Sequence, residues 1–180
     1  MSETTEEQFT KDATSFLEES GLPQKAERDA FVWGKGPDNA AMFEEVDKEQ
    51  EQIDLDNAKA WRAKKYRAGF GWISGPKSLG GGGHPRRFER VWAQLEAQYD
   101  IPDNGFFGIG LGMVAPTILA HGQTEVSSEL LPKLYGADLI ACQLFSEPGA
   151  GSDLASLQMR ADKDGDEWVL NGQKVWTSGA

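Results

Sequence analysis

Cysteine and histidine are nearly absent from this chain. Its 180 residues hold one cysteine, Cys142, and two histidines, His84 and His121. One thiol excludes an intramolecular disulfide framework and fits a reducing compartment. Lying inside an apolar run, Cys142 is expected to be a small buried hydrophobe rather than a nucleophile. Two histidines 37 residues apart and a lone thiol fall short of a zinc ligand set, and no Ser-His-Asp grouping stands out. No metal ligand is therefore assigned. Basic charge is also scarce, with 18 Lys+Arg against 29 Asp+Glu for a net charge of −11. That balance is the reverse of what nucleic-acid binding requires. No apolar run has the length of a bilayer span, so a soluble protein is expected. The acidic N-terminus is neither a secretory signal nor an Arg-rich transit peptide, and a cytoplasmic location is expected.

What is present points to a globular core, with 39% apolar and 10% aromatic residues. The negative charge is concentrated in the first third. Residues 1–60 carry 16 acidic and 6 basic side chains, a net of −10, whereas residues 61–180 carry 13 and 12, a net of −1. The acidity thus describes a solvated leader and not the remainder.

Thr5-Glu6-Glu7-Gln8 has the spacing of a capping box, with Phe9, Ala13, Phe16 and Leu17 following on one helical face. Gly21 and Pro23 should stop that helix. Residues 23–57 are patterned poorly and are expected to be partly helical, with Phe31, Val32 and Trp33 pinning them to the body. Ala58–Arg67 reads as a helix ending at Gly69. Gly69–Pro85 holds seven glycines, among them Gly80-Gly81-Gly82-Gly83. No Lys-Ser/Thr follows, so a flexible connector is expected in place of a phosphate loop. Arg86–Tyr99 carries Phe88, Val91, Trp92, Leu95 and Tyr99 at helical spacing, a core stripe. Ile101–His121 is apolar almost all round and predicts a central buried helix; Gly108, Gly110 and Gly112 lack the spacing of a dinucleotide fingerprint. A short helix is expected from Thr124 to near Pro132 and Gly136.

Leu139–Phe145 predicts a buried strand. After it comes the turn Ser146-Glu147-Pro148-Gly149-Ala150-Gly151-Ser152-Asp153. Its proline fixes φ, its glycines widen the backbone's choice, and free N–H groups with two hydroxyls can converge there on an anion. Asn171-Gly172 predicts a tight hairpin with Trp168 opposite Val175, leaving Val169, Lys174, Trp176 and Ser178 on the other face.

The turn at 146–153 together with Asn171-Gly172-Gln173-Lys174-Val175-Trp176-Thr177-Ser178 resembles the flavin-binding signature of the acyl-CoA dehydrogenases. A weaker similarity, including Pro76-Lys77-Ser78-Leu79-Gly80-Gly81, extends back to about Trp61. The resemblance implies a mainly α N-terminal helical domain followed by the first strands of a β-barrel-like domain. Residues 1–57 are then an acidic N-terminal extension, 58–138 the helical core beside the acyl pocket, and 139–180 the start of the flavin-binding β domain.

It further implies FAD, held by Gln143, Leu144, Phe145, Ser146, Gly151, Ser152, Trp176, Thr177 and Ser178. The Phe145 and Ser146 amides would face the pyrimidine end, and Ser152 would contact phosphate or substrate. Trp176 would pack on the isoalloxazine, with Ser178 toward N5. An acyl-CoA thioester would lose an α-proton and a β-hydride to become a trans-2-enoyl-CoA, with an electron-transfer flavoprotein as acceptor and a homo-oligomer as the assembly. In the family the base belongs to a C-terminal helical domain, so no catalytic residue is assigned, and Glu147 is read as structural. On this view the chain is an N-terminal fragment, inert alone. Two other readings stay open: a non-catalytic helical binding or assembly module, and an acyl-CoA oxidase.

Overall fold

In a computed structural model of the chain, residues 4–25 and 47–177 are described. The expectations for Phe31, Val32, Trp33 and Ser178 lie outside the described residues. Among the described residues, five α-helices precede one two-stranded sheet. Helix α1, Glu6–Glu18, begins at Thr5, whose hydroxyl accepts the Gln8 amide at 3.2 Å. Only this half of the expected capping box forms, because the Gln8 side chain donates instead to Asp12.

Helix α2 spans Lys48–Arg67 and so starts ten residues before the expected Ala58, running across the boundary drawn at 57/58. Asp47 caps it by accepting the Glu49 amide, and Gln50–Asp54 and Gln52–Asp56 hydrogen bonds lace its solvated first half. Such i,i+4 pairs support this half of the helix, which buries none of its residues before Ala58.

Helix α3, Arg87–Glu96, packs across α1. Phe9, Ala13 and Leu17 of α1 meet Trp61 of α2, Phe88 and Trp92 of α3, and Ile73 and Tyr99 in one buried cluster. Phe70 stacks on Trp92 with ring centroids 4.6 Å apart. The stripe read from the sequence is thus a core stripe, with Val91 and Leu95 packed at its edge. Beneath it lies an ion pair. Lys65 Nζ reaches Glu96 Oε1 at 2.8 Å, and the same oxygen accepts the Trp61 indole N–H at 3.0 Å. Burial pushes the Lys65 pKa down, and the Glu96 carboxylate opposes that shift.

The glycine-rich stretch 69–85 is no flexible connector. A short 3-10 turn, Lys77–Leu79, sits within it. The Gly81, Gly82, Gly83 and His84 amides donate to Pro76, Trp72, Gly75 and Ile73 respectively. Gly75 lies flat against the Trp72 ring, where any side chain would collide, and Gly80 adopts φ +85°. Close packing and three left-handed positions, at Gly69, Gly80 and Gly83, account for the composition.

The stretch 101–121 also departs from expectation. In place of one helix buried on all sides there is a 3-10 turn (Gly105–Phe107), a π turn (Gly110–Val114) and the short helix α4, Ala115–His121. Only Phe107, Gly110 and Ala115 are buried, while Met113 and Leu119 are exposed. Glycines at 108, 110 and 112 weaken regular α structure, and Pro116 has no amide to give the preceding turn. Helix α5, Thr124–Tyr135, lies against α4, with Ser127 Oγ donating to Ile118 O. Trp72 stacks on Tyr135 with centroids 4.1 Å apart, over Leu131 and Leu134.

Beyond Gly136, Ala137 takes a left-handed φ of +66° and buries its methyl with Ala58 and Phe107. Residues 139–145 then run without strand pairing, so the expected buried strand does not form among the described residues. Leu139, Ile140, Leu144 and Phe145 are exposed, and so is Cys142, contrary to the buried role expected of it.

The hairpin sits one turn earlier than expected. Strand β1, Arg160–Asp164, pairs antiparallel with β2, Glu167–Asn171, in a register that sets Trp168 opposite Lys163 rather than Val175. Gly165, at φ +60°, makes the bend. Asp164-Gly165 is itself a turn signal, obscured because β1 is charged at every position but Ala161. No described helix is long and apolar enough to cross a membrane.

Phe88 is fully buried where α1 and α3 meet. Phe88→Ala is expected to destabilise the chain by about 3–5 kcal/mol in denaturant unfolding followed by circular dichroism.

Candidate functional site

The turn after residue 145 closes on itself. Glu147 N donates to Ala150 O at 2.8 Å and Ala150 N returns the bond to Glu147 O at 3.0 Å, around Pro148-Gly149. Asp153 then caps a 3-10 turn, Leu154–Ser156, and accepts the Ser156 hydroxyl. Ser146 is half-buried, Gly151 and Ser152 are exposed, and Gln143 is half-buried. No heavy atom comes within 4 Å of where a Cβ would sit on Gly149 or Gly151, so the turn is open.

The chain's return to this turn comes at 173–175. Val175 N donates to Ser146 O at 3.0 Å, and Lys174 Nζ donates to Phe145 O at 2.9 Å. These bonds explain why β2 ends at Asn171. Beyond Gly172 the chain leaves β1 and lies beside residues 145–147.

Glu147 binds these segments together. Its carboxylate accepts Gln158 N at 2.7 Å, Met159 N at 3.0 Å and Lys174 Nζ at 2.8 Å. Solvent reaches only 8% of the residue, and the desolvation that burial brings opposes ionisation. The Lys174 hydrogen bond acts most strongly on it, followed by the Gln158 amide. Together with Met159 and the Lys174 charge they hold the carboxyl down to about 2, against an ordinary 4.5. A cavity of about 330 Å³ adjoins the knot, bounded by Glu147, Pro148, Gly149, Met159 and Gln173 among others.

Of the residues singled out in the sequence, the structure brings Phe145 and Ser146 against Val175, the neighbour of Trp176. Leu144 and Phe145 are 53% and 49% exposed. Trp176 takes φ +58° and is 88% exposed, and Thr177 is half-buried. A large aromatic held in the left-handed region, with its side chain in water, is unfavourable on both counts.

Among the described residues no group accepts the Phe145 or Ser146 amide. The Ser146 hydroxyl and the Trp176 ring, 88% exposed, lie on segments joined by the Val175–Ser146 hydrogen bond. Sequence reasoning missed Lys174, which was assigned to the far face of a hairpin. Its signal was a basic side chain following Asn171-Gly172-Gln173 with a carboxylate in the partner turn. The Gln158 and Met159 amides left no trace in the sequence.

A family profile described as acyl-CoA dehydrogenase, middle domain, matches residues 142–180. The acyl-CoA dehydrogenase IpdE1 of Mycobacterium tuberculosis is 38% identical over 126 residues, covering 69% of this chain and 32% of that protein. The chain belongs to the acyl-CoA dehydrogenase family. Among solved structures of the family, acyl-CoA dehydrogenase from Geobacillus kaustophilus superposes with a TM-score of 0.52 at 29% identity, over 72% of this chain and 34% of that one. The ChsE4-ChsE5 complex from Mycobacterium tuberculosis gives 0.59 at 27% identity, over 99% and 40%. The chain therefore spans about a third of the length of IpdE1 and of the Geobacillus enzyme, and its helical body with a short sheet matches the fold of these neighbours.

A carboxyl depressed in the folded state contributes stability above its unfolded value and loses it as pH falls through the folded one. For Glu147 that window runs from 4.5 down to about 2. In an NMR titration the Gln158 and Met159 amide shifts should stay level through pH 4.5 and move only well below it.

Proposed function

We propose that this chain forms the helical and flavin-binding parts of an FAD-dependent acyl-CoA dehydrogenase, which converts an acyl-CoA thioester to a trans-2-enoyl-CoA. The observation that carries the reading is the joining of the 146–153 turn to residues 174–175 by direct hydrogen bonds. When bound, FAD supplies the two-electron acceptor for the β-hydride, while the α-proton passes to a base.

This chain's residues bind and orient. Gln143, Leu144, Phe145 and Ser146 would line one flavin edge, with the Phe145 and Ser146 amides and the Ser146 hydroxyl as the donors that hold it. Gly151 leaves the turn open, and Ser152 contacts phosphate or substrate. Trp176 and Thr177 would cover the ring, and Ser178 is assigned to the same site from the motif alone. Covering the exposed Leu144, Phe145 and Trp176 with a planar ring system would remove apolar surface from water, which favours binding.

Glu147 is not the base. Its oxygens already accept three hydrogen bonds, and a carboxyl held at about 2 attracts protons too weakly. The base belongs to sequence other than these residues, and the division at 138/139 between helical core and flavin-binding part follows from the same reading. Electrons pass on to an electron-transfer flavoprotein. The ChsE4-ChsE5 neighbour is a complex, and we place this chain likewise beside a second acyl-CoA dehydrogenase chain.

Titration of the purified chain with FAD tests the proposal through the blue-visible flavin band. Saturable binding is expected, weakened roughly five- to tenfold in Ser146→Ala through loss of one hydrogen bond, and weakened also in Trp176→Ala. A wild-type chain that leaves the band unchanged at saturating FAD contradicts it.

A further inference from the structure

We propose that Glu147 and Lys174 are positioning residues for the flavin site, their ion pair setting the spacing between the Phe145-Ser146 amides and the segment that bears Trp176. The inference rests on the flavin reading above and goes beyond it, since neither side chain need touch the ligand.

Geometry carries the argument. Lys174 Nζ is shared between Phe145 O at 2.9 Å and Glu147 Oε1 at 2.8 Å. It thereby fixes the backbone on either side of Ser146. Occupying the Phe145 carbonyl constrains the peptide plane that carries the Ser146 amide, because the C=O and the following N–H share one rigid unit. Glu147 meanwhile draws the Gln158 and Met159 amides to the same point, so the turn, the lead-in to β1 and the return at 174 share one anchor.

None of these residues belongs to the three buried apolar clusters. The flanking strands β1 and β2 are exposed along their whole length and supply no alternative anchor. Among the described residues, only Val175 N to Ser146 O adds a direct backbone tie. An ion pair this shielded, with 16% and 7% side-chain exposure, is held far more firmly than the exposed Lys133–Glu129 pair at 43% and 65%. Reversing the pair should fail as a rescue. A lysine at 147 cannot accept the two amides, so the anchor depends on which side carries the carboxylate.

The test compares wild type with Lys174→Met, Lys174→Arg, Glu147→Gln and the control Lys133→Met. It uses two readouts, hydrogen exchange by mass spectrometry and FAD titration. Lys174→Met and Glu147→Gln should speed exchange at residues 145–159 and leave α1 and α3 as protected as in wild type. Lys174→Arg should recover much of the protection, and Lys133→Met should change nothing.

FAD affinity should fall about tenfold or more in Lys174→Met. The loss should deepen from about pH 6 to about pH 4, where wild type stays level, because the carboxyl has lost its strongest stabilising partner. Unchanged exchange at 145–159 in both Lys174→Met and Glu147→Gln overturns the inference, as does faster exchange with unaltered FAD affinity. If wild type binds no FAD, the functional reading fails, and the exchange data still decide whether the pair holds the turn.

Discussion

One carboxylate, that of Glu147, fixes the geometry on which the site depends. Two amides and one ammonium converge on it, and they come from segments separated by 11 and 27 residues along the chain. Without an acceptor at that point, two backbone N–H groups would lie shielded and unsatisfied, which is costly. The charge is therefore where the local fold is decided. Around it the backbone has little else to rely on, for the two-stranded sheet nearby is exposed on every residue.

The helical body follows a different logic. Its coherence comes from aromatic packing where α1, α2 and α3 cross, and from a second stack beneath α5. Charged groups enter that core with unequal compensation, and the buried Arg62 Nε finds no hydrogen-bond partner among the described residues. Lys65 is paired with Glu96, and Arg62 gives one hydrogen bond to Gly71 O while lying over the Phe107 and Tyr135 rings. The 105–121 segment lies on the body with one apolar side uncovered. Residues 139–145 continue that exposed apolar surface, Ala141 passing beside Gly110, toward the candidate site. The rigid part thus presents the segment that carries Phe145 and Ser146.

Local rules were legible where one neighbour decides the outcome. Thr5 capping α1, the Phe88-Trp92 stripe, and the proline-stiffened turn at 146–153 could all be read directly. What escaped was decided by partners distant in sequence. The glycines at 75 and 81 looked mobile because the Trp72 ring and the backbone they pack against cannot be seen in a linear pattern. Lys48–Asn57 hid its helix because side-chain hydrogen bonds, not an apolar face, support it. Asn171-Gly172 drew attention from Asp164-Gly165 because Val and Trp flank the former and charges flank the latter. Once Lys174 and Val175 are engaged by residues 145–147, the sequence beyond Gly172 is unavailable to β2. In the candidate site, the turn was legible from the motif, but the lysine that ties it to the returning chain was not.

The central claim is that the Phe145-Ser146 amides and the Trp176 indole bind opposite parts of one ring system. An isotope-edited NMR titration with FAD tests it most directly, following the amide signals of Phe145 and Ser146 and the indole N–H of Trp176. The account predicts that all three move together, saturate at one FAD concentration and show intermolecular contacts to the isoalloxazine. Shifts confined to the helical body, or Trp176 unmoved while FAD is bound, would contradict it.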